Sequence, residues 1–164
     1  MLRKIIKIHF IFLAVLPISS CTSEDNTSTP VEIVAEKSFD YSKIEKEILK
    51  LVNDYRTTLE LNSLYPKAEI SLEARVHNFY MIEKGETSHD NFAARSNSLK
   101  KVLNAKAIGE NVAYGYRTAN AVVDAWIESE GHRENLEGNF THFGISVERD
   151  EAGRYYFTNI FLRQ

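Results

Sequence analysis

The chain of 164 residues has a single cysteine, Cys21, and it lies near the amino terminus. With no second thiol, no intramolecular disulfide can hold the fold, so stability must come from a packed core. Long apolar runs are missing too. A bilayer-spanning helix needs ~20 apolar residues, and the stretch Phe10–Pro17 is well short of that. Positive charge is scarce: Lys and Arg number 20 against 23 Asp and Glu, a formal net charge of −3. No dense basic patch or arginine-rich arm is present that could neutralise a phosphate backbone, which excludes a nucleic-acid-binding protein. There is no internal repeat, no H-E-x-x-H zinc-protease helix and no G-x-S-x-G nucleophile elbow.

What is present begins with an address. Residues 1–20 open with Arg3, Lys4 and Lys7, continue through Phe10–Pro17 and close on Ile18-Ser19-Ser20 before Cys21. Charged start, apolar middle and small-residue end form an export signal. The end resembles the lipobox of bacterial lipoproteins, which implies cleavage before Cys21, diacylation of Cys21 and anchoring to a membrane. Two or three acyl chains, at ~0.8 kcal/mol per buried methylene, hold a soluble domain durably. Cleavage removes three basic residues, leaving 17 against 23 acids. The mature chain is thus more acidic and free of any possible disulfide.

Residues 21–40 read as the lipidated cysteine and a flexible tether, because Ser23 to Pro30 is too polar to pack. The acids just after Cys21 resemble a surface-export signal of Bacteroidota lipoproteins. The folded domain is assigned to 41–164, where 43% hydrophobic content suffices for one core. Ile44, Ile48, Leu51, Val52, Tyr55 and Leu59 predict a first helix over 41–61. Ser71 is expected to cap a second helix running through Leu72, Val76, Phe79 and Tyr80 to Gly85, with His77 as an ordinary surface or packed residue. Thr118 caps a third, from Ala119 to about Glu130, with Val122, Val123, Trp126 and Ile127 facing inward and Gly131 ending it. Phe143, Ile145 and Val147 then alternate with polar residues, a turn follows at 150–153, and Tyr155–Phe161 completes a hairpin. Helices first and an antiparallel hairpin last indicate an α+β fold.

Five ordered motifs carry more information than any element. Leu51-Val52-Asn53-Asp54-Tyr55-Arg56, Ser88-His89-Asp90-Asn91-Phe92, Gly109-Glu110-Asn111-Val112-Ala113, the stretch Ala125 to Leu136 and Phe157-Thr158-Asn159-Ile160-Phe161 resemble the CAP superfamily of cysteine-rich secretory, antigen-five and pathogenesis-related proteins. The resemblance covers about residues 44–161. It implies an α-β-α sandwich with a central antiparallel sheet and a cleft lined by histidines and glutamates. His89 matches the first cleft histidine, Glu110 the glutamate of Gly-Glu-Asn, and His132 the histidine of the bacterial Gly-His-Arg motif. Glu128 or Glu130 would supply a further carboxylate. The Gly-His-Tyr-Thr-Gln context of animal and plant relatives is absent, and Asn159 stands where bacterial relatives often carry glutamine.

Three functions follow from these residues and the resemblance. The preferred one is an exported, lipid-anchored envelope protein whose His89/Glu110/His132 cleft binds a small-molecule, lipid or protein ligand, with no enzyme required. The cleft chemistry also suits a divalent metal such as Zn²⁺ held by His89 and His132. The second is a hydrolase in which a histidine or a bound metal activates water. The third is a structural surface module in which Glu110 and His132 cap neighbouring segments. His142 is a further candidate through the hairpin.

Overall fold

The computed structural model describes residues 37–164. The leader, Cys21 and most of the tether lie outside the described residues. Helix α1 (Lys43–Thr58) starts at Ser42, whose hydroxyl accepts the Glu45 N–H while the Glu45 carboxylate accepts the Ser42 N–H. This reciprocal cap satisfies two backbone donors that the first helical turn leaves open. After a two-residue strand β1 (Tyr65–Pro66) come α2 (Ala68–Lys84), α3 (Phe92–Leu103), β2 (Ala107–Tyr114), α4 (Ala119–Glu128), α5 (Glu130–Glu137), β3 (His142–Arg149) and β4 (Tyr155–Arg163).

The strands form one sheet in the order β1-β3-β4-β2, antiparallel except for the short parallel contact of β1 with β3. The hairpin expected at the carboxyl end is β3–β4, and Gly153 takes the left-handed φ of 76° that its turn requires. Strand β2 is an edge strand, so the Gly-Glu-Asn motif sits in a sheet, with successive side chains on opposite faces.

The two faces are covered by different helices. On one, α1, α4 and α5 pack Ile48, Val52, Val122, Val123, Trp126 and Leu136 against Phe143, Ile145, Phe157 and Phe161 of the sheet. Trp126 is the largest fully buried side chain there, and its indole N–H donates to the Val112 carbonyl at 3.2 Å. On the other, α2 and α3 bring Ile70, Ala74, Leu99 and Leu103 to Ile160 and Leu162, and Met81 meets Val112 and Tyr156. Helix α2 lies so close that a Cβ on Gly144 would come within 2.5 Å of the Ser71 nitrogen.

Two expectations are corrected. Helix α2 begins at Ala68 rather than after Ser71, because the Lys67 carbonyl, just past Pro66, already accepts the Ile70 and Ser71 N–H groups. Ser71 is no cap; buried, its hydroxyl meets the Tyr41 hydroxyl at 2.8 Å and accepts the Ile145 N–H at 3.2 Å. The buried stripe is therefore Ile70, Ala74, His77, Asn78 and Met81, while Val76 and Phe79 are 63% and 54% exposed. Similarly, Gly131 does not end the third helix. Thr118 caps α4 as expected, accepting the Ala121 N–H, but α4 stops at Glu128, and Ser129 is the joint from which α5 departs with Gly131 inside its first turn.

Candidate functional site

The loop between α2 and α3 carries His89, and four bonds fix it. The His77 Nε2–H donates to the Ser88 carbonyl at 2.8 Å. The Tyr80 hydroxyl and the Lys84 ammonium both donate to Asp90 Oδ2 at 2.8 Å. The Arg95 guanidinium donates to the Asp90 carbonyl at 2.7 Å. Asn91 then enters α3 with φ of 60°, a left-handed conformation that asparagine tolerates better than most residues.

Glu110 projects from β2 toward this loop, on the α2/α3 face of the sheet. Its carboxylate is buried, with the side chain 1% exposed. Arg95, also buried, grips it with two parallel bonds, Nε to Oε2 at 2.9 Å and Nη2 to Oε1 at 2.8 Å. His89 Nδ1 lies 2.9 Å from Oε1, and since an ionised carboxylate only accepts, the imidazole carries its proton on Nδ1. Burial acts to raise the Glu110 carboxyl, but the bonds from His89 and Arg95 outweigh it and hold the group below the ordinary carboxylate range. His89 itself is half exposed, its side chain 52% open to solvent. Its Nε2 has no hydrogen-bond partner among the described residues.

His77 belongs to the same cluster. Its buried ring stacks on Tyr80 with centroids 5.9 Å apart and sits 3.9 Å from Glu110 Oε1. Burial pushes its imidazole below the usual histidine value despite the attraction of Glu110, so the ring is neutral. With the proton on Nε2, its Nδ1 is a bare, buried acceptor without a partner. Around one carboxylate, His89 therefore turns its Nδ1–H to Glu110 while His77 turns its Nε2–H to the Ser88 carbonyl.

His132 approaches from the other side of β2. Asn111, next to Glu110 and pointing to the opposite face, donates to the His132 carbonyl at 3.0 Å. Asn135 of α5 donates both to the Glu110 carbonyl at 3.2 Å and to Asn111 Oδ1 at 2.9 Å. Gly109 permits this approach, because a Cβ there would stand 2.4 Å from Asn135 Oδ1. The His132 ring rests its Nδ1 on Ser129 Oγ at 2.9 Å, and both burial and the nearby His89 lower its pKa. The site straddles the edge strand, with His89 and Glu110 on one side and His132 on the other.

The remaining candidates stand apart. Glu128 ends α4 and Glu130 opens α5; both are exposed and neither contacts Glu110. His142, at the start of β3, bonds Thr141 Oγ1 at 2.9 Å and faces Tyr65. Asn159 is buried in the sheet opposite Asn111, donating to the Gly144 carbonyl at 3.1 Å. Arg95 and His77, absent from the sequence-based set, complete the cluster that Glu110 organises.

A carboxylate behind a histidine, holding Nδ1–H and leaving a solvent-facing Nε2 without a partner, is an arrangement in which the neutral ring offers Nε2 as a proton acceptor. It suits a resident zinc less well. Zinc centres take three or four protein ligands, whereas Glu110 is committed to Arg95, and the unengaged imidazole nitrogens are Nε2 of His89, Nε2 of His132 on the other side of the strand, and the fully buried Nδ1 of His77. Among the described residues no group of three or more His, Cys, Asp or Glu side chains is arranged to hold a metal ion.

Known proteins share this arrangement of elements. An outer surface protein of Borrelia burgdorferi superposes with a TM-score of 0.66 at 19% identity, covering 79% of this chain and 98% of that one. An extracellular SCP-domain protein of Bacillus anthracis superposes at 0.64 with 25% identity, over 77% of this chain and 45% of that one. In sequence, uncharacterized protein YkwD of Bacillus subtilis is 32% identical over 134 residues, 75% of this chain and 52% of the relative. The chain spans about half of that relative's length. The family model of the cysteine-rich secretory proteins matches residues 49–161, which includes every residue of the Glu110 cluster, and the chain belongs to this CAP family.

Proposed function

We propose that this CAP domain is an exported, lipid-anchored envelope module that binds a ligand through the cleft at His89, Glu110 and His132. The observation that carries this reading is the double grip of Arg95 on Glu110 beside the His89 Nδ1 contact. A buried ion pair of this kind is costly to assemble, and removing one member leaves an uncompensated charge. Such a pair under a half-exposed imidazole is better explained by presenting Nε2 to a ligand than by capping a loop. The ligand needs a group that donates to Nε2 of His89, and His132 supplies a second imidazole across the strand edge. Cys21 is the anchoring residue, and no helix among the described residues is long and apolar enough to cross a membrane.

Equilibrium binding of palmitate, a sterol and Zn²⁺, each tested alone on wild type and on the His89→Ala and His132→Ala variants, tests the cleft. An organic probe should bind wild type and weaken by about tenfold or more in both variants, a loss of ~1.4 kcal/mol, without requiring Zn²⁺. Organic binding that survives both substitutions would place the ligand elsewhere. Acyl labelling and mass spectrometry test the anchor: the label should be lost in Cys21→Ser, and an unmodified Cys21 behind an intact leader would remove it.

A further inference from the structure

The loop leaving β2 and the β3–β4 turn enclose a concavity of about 460 Å³ lined by Tyr114, Tyr116, Arg117, Arg149, Arg154 and Tyr155. It shares Arg117 and Tyr155 with an adjoining cavity of about 510 Å³ at the starts of α1 and α4, to which Lys43 contributes. None of His89, Arg95, Glu110 or His132 lines either cavity.

Charge in this groove is unbalanced. Three of the nine arginines of an acidic chain gather in one hollow. Asp150 answers only Arg154, at 2.7 Å, and is itself tied into the turn by the Arg154 N–H. Glu47 lines the α1 end. Arg117 and Arg149 have no carboxylate within salt-bridge distance among the described residues. Like charges held together without counter-charge repel, and a bound anion would remove that repulsion.

The aromatic rings specify what kind of anion. The Arg149 guanidinium lies 4.2 Å over the Tyr155 ring, and that of Arg154 lies 5.5 Å from the Tyr114 ring, which leans on Tyr156 at 4.8 Å. A guanidinium already resting on a ring has less freedom to lose when its planar fork takes a carboxylate or sulfate. Tyr114 and Tyr116 are 37% and 36% exposed, leaving flat ring faces inside a charged groove. The C–H face of a sugar ring packs on such surfaces while its acidic substituents reach the guanidinium forks. Single-stranded nucleic acid also uses rings and cations, but its backbone requires a longer basic track than this groove provides.

We propose that this groove is a second binding site, taking an acidic saccharide whose rings carry carboxylates or sulfates. Calorimetry of the full chain with tetragalacturonate, a heparin tetrasaccharide, neutral cellotetraose and an oligothymidylate tests it. The two acidic saccharides should bind, with cellotetraose at least about tenfold weaker. Arg117→Gln, at a side chain with no hydrogen bond or ion pair among the described residues, should weaken both acidic probes, and Arg117→Gln/Arg149→Gln by at least about tenfold, with circular dichroism confirming the fold. Tyr116→Ala should weaken them as well, which a purely electrostatic surface would not show. Equal binding of cellotetraose, tighter binding of oligothymidylate, unchanged affinity in the arginine variants, or no binding of either acidic probe would each overturn the proposal.

Discussion

The two faces of the sheet are built on different principles. Toward α1, α4 and α5 one large apolar cluster dominates, with Trp126, Phe143, Phe157 and Phe161 fully buried and with Glu45, Arg56, Asn111 and Asn159 as its buried polar members. Toward α2 and α3 the apolar clusters are small, and between them lie buried Ser71, His77, Asn78, Arg95, Glu110, Ser146 and Thr158. These groups pair among themselves: Asn78 donates to the Ser146 carbonyl at 2.7 Å and accepts from Thr158 at 2.7 Å, as Arg95 does for Glu110. A domain without disulfides concentrates its hydrophobic stabilisation on one face and the Glu110 cluster on the other, with His132 reaching the edge strand from the first. The second face is specified by hydrogen bonds and gains less from burial.

Substitutions on each face should separate these contributions. The largest loss is expected from Trp126→Ala, ~3–5 kcal/mol in chemical denaturation, as for large aromatic truncations in cores. A loss below ~1 kcal/mol would mean that α4 does not anchor the apolar face. On the polar face, Glu110→Ala should cost ~3 kcal/mol because it strands the Arg95 charge. Replacing both partners, Arg95→Leu with Glu110→Leu, should recover most of that stability while abolishing ligand binding. A double variant as unstable as Glu110→Ala alone would show that the ion pair is structural rather than functional.

Acid should act through the histidines. Burial lowers the pKa of His77, of His132 and of His142. In the unfolded chain they take up protons near ~6.5, while the folded chain still excludes them. The unfolded state then binds more protons, so this stability is complete above that value and is lost as pH falls through the lower folded values. Denaturant unfolding at pH 7.5, 6 and 5 should show the decline, and His77→Gln should flatten it. Smallest of all, Val76→Ser and Phe79→Ser should each change stability by no more than ~0.5 kcal/mol, since both side chains face solvent. A cost of ~2 kcal/mol would restore the helix phase expected from the sequence.

Much of the apolar face was legible in the sequence, and little of the polar one. The α1 stripe, the Thr118 cap, Trp126 and the alternation of Phe143, Ile145 and Val147 announce themselves because they bury hydrophobic residues at a regular period. Helix α2 conceals its phase: it buries His77 and Asn78 while exposing Val76 and Phe79, the reverse of the usual pattern. The spacing of Ala74, His77, Asn78 and Met81 was the available signal. Helix α3 has few apolar residues, and β2 carries Glu110 and Asn111 where a strand is expected to be apolar, so neither was expected as an element. His89, Glu110 and His132 came from the family resemblance. Arg95, an arginine among alanines and serines, gave no local sign that it would be buried against Glu110.

The most direct test of the site is the position of two protons. Long-range ¹H–¹⁵N NMR of the histidine rings at neutral pH should find His89 protonated on Nδ1 with Nε2 bare, and His77 protonated on Nε2 with Nδ1 bare. Replacing Glu110 by Gln should disturb the first assignment and leave the second, which rests on the Ser88 carbonyl. A His89 ring carrying its neutral proton on Nε2, unchanged in Glu110→Gln, would contradict the claim that Glu110 and Arg95 exist to present that nitrogen to a ligand.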